Sequence, residues 1–107
     1  MVTSQSRSVY LGVRDETFFV YMMSNRTCTV LYTGVTNDLR RRVSEHQLGI
    51  GGVFTNRYLV HTLVYYETYP SIIAAITREK QIKSWNRKRK NKLVESRNPK
   101  WEPMPLG

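Results

Sequence analysis

Cysteine is almost missing from this chain: Cys28 is the single one in 107 residues. An intrachain disulfide and a cysteine-built zinc cluster are therefore excluded, and a reducing cytoplasm is the expected compartment. Flanked by Thr27 and Thr29, Cys28 reads as a half-buried strand residue and not as a nucleophile. Acidic residues are also scarce, 8 against 17 Lys plus Arg, which leaves a formal net charge of +9. Such a surplus suits a polyanion whose phosphates release counterions on binding. No long apolar run and no basic helix with a broad apolar face is present, so neither a membrane span nor a membrane-surface anchor is expected. The first sixteen residues, rich in Ser, Thr and isolated charges, lack the apolar stretch of a secretory signal.

The length gives room for one domain and one hydrophobic core. Residues 1–17 are expected to form a flexible extension, with one short strand at Val9-Tyr10-Leu11. Residues 18–102 form the domain and 103–107 a tail. Phe18 to Met23 and Thr29 to Val35 are aromatic and β-branched runs around the polar Ser24-Asn25-Arg26-Thr27, the pattern of an antiparallel hairpin. Asn37 or Asp38 caps a helix running to about Gln47. A mobile loop follows at Leu48 to Asn56, with Gly49, Gly51 and Gly52. Thr62 to Tyr69 reads as a third strand ended by Pro70, and Ser71 to about Trp85 as a second helix. The very basic stretch Asn86 to Lys92 leads into a shorter helix through Ser96, Asn98-Pro99 breaks it, and Trp101 folds back onto the body. The predicted class is α/β, more narrowly α+β: a small three-stranded antiparallel sheet flanked by about three helices.

Polar residues on faces that should be apolar mark the candidate site. Turning about 100° per residue puts Leu39, Arg42, Val43 and His46 on one stripe of the first helix. An isolated charge facing a core is costly, so Arg42 is either paired or borders a cleft that admits a phosphate. The competing reading is a snorkelling arginine and a satisfied rim histidine. On the second helix Glu79 sits among Ile72, Ala75, Ile76 and Ile82. An i,i+4 pair with Lys83 accounts for it, and so does a divalent metal. A hairpin loop centred on Arg26-Thr27 sets Tyr21 opposite Tyr32 on one sheet face, where Gly34 leaves room for a ligand backbone. Tyr65, Tyr66 and Tyr69 read as packing or surface residues.

Val20-Tyr21-Met22, Tyr32-Thr33-Gly34-Val35-Thr36, the helix start from Asn37 to His46 and the segment Arg78-Glu79-Lys80-Gln81-Ile82-Lys83-Ser84-Trp85 together resemble the GIY-YIG endonuclease domain, in its small stand-alone form. The resemblance spans Phe18 to Trp101. It implies a metal-dependent nuclease in which Tyr21 and Tyr32 position and deprotonate the attacking water. Arg42 would stabilise the phosphate, His46 would act as acid/base or water-positioning group, and Glu79 would bind one Mg²⁺ or Mn²⁺. Asn91 falls at the spacing of an active-site asparagine. Val20 replaces the first motif's glycine, Thr33-Gly34 closes the second, and Val35 stands where repair-type members carry lysine.

Nucleic acid is the implied partner, DNA favoured over RNA, with Arg40, Arg41, Arg87, Lys88 and Lys90 as phosphate contacts. No obligate protein partner is evident. Phe54 or Tyr58 beside the glycine-rich loop suits stacking on single-stranded DNA. The alternative is a non-catalytic nucleic-acid-binding module, in which the basic segment grips phosphate and the tyrosines only stack on bases. A third reading is an interaction domain whose charge serves solubility or assembly.

Overall fold

Five consecutive residues of β1 (Phe18–Ser24), Val20 to Ser24, are buried, so this strand shows no alternation of exposed and covered positions. The reason is its place. The sheet order is β2-β1-β3, with β2 (Leu31–Thr36) and β3 (Thr62–Tyr69) both antiparallel to the central strand, and helices cover both faces. α1 (Leu39–Gln47) lies on one face; α2 (Ile72–Lys83) and α3 (Arg87–Glu95) lie on the other. This is the α+β class expected. The computed structural model describes residues 16–50, 52 and 58–106. The expected strand at Val9-Tyr10-Leu11 and the stacking candidate Phe54 fall outside the described residues.

The single expected core is two half-cores divided by the sheet. Tyr21, Met23, Leu39, Val43, Val60 and Leu63 pack on the α1 side. Val20, Met22, Val64, Tyr65, Ala75, Ile82 and Val94 pack on the side of α2 and α3. Each of these three helices starts at a side-chain cap: Asp38, Ser71 and Asn86 accept a bond from the backbone N–H three residues on. The cap at Asn86 and the strong helix propensity of Arg and Lys make the basic stretch itself the third helix, where the sequence suggested only its approach. On α2 only Ala75 and Ile82 are buried, while Ile72 and Ile76 are 41% and 38% exposed. The helix is thus turned on its axis, so that half-covered Arg78 and Glu79 flank the contact line.

The hairpin register differs from the expected one. Tyr21 pairs with Gly34 and Met23 with Tyr32, so the two tyrosines are diagonal neighbours on one face. Asn25 causes the shift. Its Oδ1 accepts from the N–H groups of Thr29 and Val30 at 2.9 and 3.0 Å, and its Nδ2 donates to the hydroxyls of Thr27 and Thr29. The loop is therefore six residues long, and a two-residue shift keeps every side chain on its face. Cys28 is a loop residue with φ of 59°, not a strand residue.

At the other edge β3 carries a bulge: Met22 pairs with Tyr65 but Met23 with Leu63. The C-terminal segment covers this edge, with the Met104 N–H bonded to the Leu63 carbonyl at 2.9 Å and Asn98 Nδ2 to that of Val64 at 2.9 Å. Trp101 packs partly buried against the core of α2 and α3.

Candidate active site on the α1 face

Tyr21 projects from the central strand toward α1 and is 1% exposed. Its phenol lies across β2 above Gly34, where a Cβ would stand 2.6 Å from Oη and 2.7 Å from Cζ. Any other residue there would push the ring away. The space left by Gly34 is thus filled by Tyr21, where the sequence suggested a ligand backbone. From the facing helix, Leu39, Val43 and His46 are buried and Arg42 flanks them.

Four side chains meet here. Tyr21 Oη is 3.0 Å from His46 Nε2 and accepts from Arg42 Nε at 3.2 Å. The Tyr32 ring lies 6.1 Å from that of Tyr21 and 5.3 Å from His46, centroid to centroid. Arg42 Nη1 donates to Glu45 Oε1 at 2.9 Å, and Arg41 Nε stands 3.8 Å from the other Glu45 oxygen. Glu45 was not singled out in the sequence, though a carboxylate three residues after Arg42 on a helix is a visible signal.

Burial sets the protonation states. It pushes the Tyr21 phenol up to about 12, more than the Arg42 hydrogen bond pulls it back. Burial, and then the Arg42 cation, push His46 down to about 4, so its ring is neutral at pH 7. Burial alone would lower Arg42, but its bonds to Glu45 and Tyr21 hold it above its ordinary value. His46 is fully buried, and its Nδ1 has no hydrogen-bond partner among the described residues. Either tautomer leaves that atom unpaired, so the histidine is neither on the rim nor satisfied. An unpaired buried polar atom costs about 1–3 kcal/mol and calls for a reason.

Glu79 Oε2 is 2.9 Å from Lys83 Nζ, and the glutamate side chain is 17% exposed. Among the described residues no three His, Cys, Asp or Glu side chains come together. One hard carboxylate suits Mg²⁺ or Mn²⁺, which keep most of their waters, and does not suit zinc. Asn91 Oδ1 accepts from Arg87 Nε at 2.8 Å, while the two Nη atoms of Arg87 hold the carbonyls of Thr29 and Cys28. Arg87 therefore ties α3 to the hairpin loop. Arg40 Nη2 donates to the Leu106 carbonyl at 2.8 Å. Lys88 is exposed and Lys90 half-buried on α3. Arg89, which sequence reasoning passed over, stacks 4.0 Å above the Trp85 ring.

Beside the cluster an open groove is lined by Arg41, Arg42 and Glu45 of α1, Val35 and Thr36 of β2, and Ile72 of α2. It gives Arg42 access to a bound anion.

The model of the GIY-YIG catalytic domain matches residues 17–93. A UPF0213 protein of Haloquadratum walsbyi is 43% identical over 65 residues, 61% of this chain and 73% of its own length. One from Natronomonas pharaonis is 42% identical over 76 residues, 71% and 88% of the two chains. One from Staphylococcus aureus is 37% identical over 83 residues, 77% and 99%. The solution NMR structure of a UPF0213 protein from Bacillus halodurans superposes with a TM-score of 0.53 at 29% identity, covering 80% of this chain and 90% of that one. No helix among the described residues is long and apolar enough to cross a membrane.

Proposed function

Because the chain belongs to the GIY-YIG catalytic-domain family, a family of nucleases, we propose that it is a cytoplasmic, metal-dependent endonuclease hydrolysing phosphodiester bonds in nucleic acid, with DNA favoured over RNA as the substrate class. Residues 18–102 form the working unit in this reading, with no obligate protein partner. The observation that carries it is the convergence of Tyr21, Tyr32, Arg42 and His46 beside an open groove.

Phosphodiester hydrolysis needs an activated water, charge stabilisation on the phosphoryl oxygens and help for the departing 3′-oxygen. Arg42 faces the groove as a permanent cation for the phosphoryl oxygens. Tyr32 is half-buried whereas Tyr21 is sealed in, so Tyr32 is the phenol that meets the water. Tyr21, neutral at pH 7, acts as a positioning residue that fixes Arg42 and His46. Its hydroxyl donates a hydrogen bond to Nε2 of the neutral His46 and so fixes the ring. A phosphate next to Arg42 offsets the cation that helps depress His46 and so strengthens the imidazole as acceptor. Glu79 would hold one Mg²⁺ or Mn²⁺, which supplies Lewis acidity for the leaving oxygen when bound. Arg41, Lys88 and Lys90, with Arg40, supply further positive charge for the strand.

Cleavage assays on single-stranded, duplex and branched DNA and on RNA, each with Mg²⁺, Mn²⁺ or EDTA, test the proposal. Cutting of DNA that EDTA stops is expected. Binding without cutting under every condition would favour the non-catalytic module, the reading that the Glu79–Lys83 pair supports.

A further inference from the structure

Next to the Arg42 groove a second cavity, about 500 Å³, opens between the first turn of α1 and β3. Its apolar walls are Phe19, Tyr66, Leu39 and Leu106. The two aromatic rings meet edge to face, 6.1 Å between centroids at 67°, and both are half-buried. Asp38 and Arg40 stand at the rim. Asp38 uses Oδ1 for the helix cap, and Arg40 binds the Leu106 carbonyl, which holds Leu106 in place as a wall. Asn37 lines both this cavity and the Arg42 groove, so the two are adjacent.

We propose that this cavity takes one base of the nucleic-acid strand whose phosphate sits at Arg42. Flat aromatic walls suit a base, whose faces stack and whose edges carry both donors and acceptors. The rim matches those edges, with guanidinium donors from Arg40, acceptors from Asp38, and both from the Asn37 amide. A base in such a pocket must leave its partner strand, so an unpaired nucleotide beside the cut is the favoured substrate. The inference rests on the nuclease reading for the class of ligand.

Thr68, exposed at the cavity rim on β3, allows a test that leaves the core alone. Thr68→Trp should fill the cavity. NMR titration of the wild type with deoxyadenosine 5′-monophosphate should shift the ring signals of Phe19 and Tyr66, and 2-deoxyribose 5-phosphate should not. Thr68→Trp should lose those shifts. Equal shifts with both probes, or nucleotide shifts that survive Thr68→Trp, overturn the pocket. In cleavage, an abasic residue beside the cut should raise KM about tenfold in the wild type and leave the already raised KM of Thr68→Trp unchanged. Cutting that ignores the missing base overturns the pocket and leaves the nuclease. Base-dependent shifts without cutting of any polynucleotide overturn the nuclease and leave a nucleotide site.

Discussion

The two faces of the sheet carry the same kinds of side chain and treat them in opposite ways. On the face of α2 and α3, Glu67 takes a bidentate guanidinium from Arg78, Nε to Oε1 at 2.9 Å and Nη2 to Oε2 at 3.0 Å. It also accepts from the phenols of Tyr65 and Tyr69, the latter at 2.6 Å. Burial alone would raise this carboxyl, but the donors from Arg78, Tyr65 and Tyr69 hold it below the usual carboxylate range. On the α1 face two tyrosines meet an arginine whose Nη1 binds the Glu45 carboxylate at 2.9 Å. Their phenols converge on a guanidinium and on a buried imidazole whose Nδ1 is unpaired among the described residues. A network in which every group is matched stabilises the fold; one left incomplete has capacity for a ligand.

Arg42→Ala should test that contrast most sharply. Loss of a preorganised cation at the phosphoryl oxygens should lower kcat about 10³-fold, while affinity for DNA, spread over several basic residues, falls only a few-fold. Equal loss of cleavage and binding in moderate salt would make Arg42 an ordinary phosphate contact. Glu67→Gln should do the reverse. Each carboxylate oxygen accepts from one phenol and one guanidinium N–H, so the amide nitrogen must face a guanidinium donor in either orientation, and Arg78 loses its counter-charge. Stability in urea unfolding should drop by about 2–3 kcal/mol, with kcat of the folded fraction unchanged. A kcat loss at constant stability would place the catalytic network on this face.

His46 adds a pH signature in the window between its folded and unfolded pKa values. Its folded pKa, about 4, lies below the unfolded value near 6.5, so between these the unfolded chain binds more protons. Stability should therefore be complete above pH 6.5 and decline as pH falls toward 4, by about 3 kcal/mol from this group. His46→Gln should flatten the profile in that window. An unchanged slope in the variant would show that other groups set the acid limit.

Much of this was legible in the sequence, and what was not has identifiable causes. Pro70, the caps Asp38 and Ser71, and the β-branched and aromatic residues of β3 set local boundaries, so those elements could be read directly. The stripe Leu39–Arg42–Val43–His46 could be read because helical period is a local property. The hairpin register could not, since one side chain, Asn25, reorganises six loop residues. Nor could the Glu67 network. Alternation puts Tyr65, Glu67 and Tyr69 on one face, but their cation comes from Arg78 on the following helix. The unpaired Nδ1 of His46 depends on the packing around it, which no spacing rule contains.

Glu79 decides where the boundary between the two kinds of network falls, and its partner gives the smallest and most discriminating effect. Lys83, with a side chain 51% exposed, forms an i,i+4 pair with it worth only a few tenths of a kcal/mol. Lys83→Met should therefore leave urea stability almost unchanged, on either reading of the site. The readings separate in metal dependence. If Glu79 is the ligand, the ammonium 2.9 Å away competes with the dication, and its removal should lower the Mg²⁺ concentration for half-maximal cleavage about twofold. Glu79→Gln, which keeps shape but loses charge, should then nearly abolish cleavage at any Mg²⁺ concentration. Suppose instead that Lys83→Met leaves the Mg²⁺ midpoint where it was and Glu79→Gln still cuts. Glu79 would then be a structural acid like Glu67, and the metal, if one is needed, would be held by the substrate's phosphates and water.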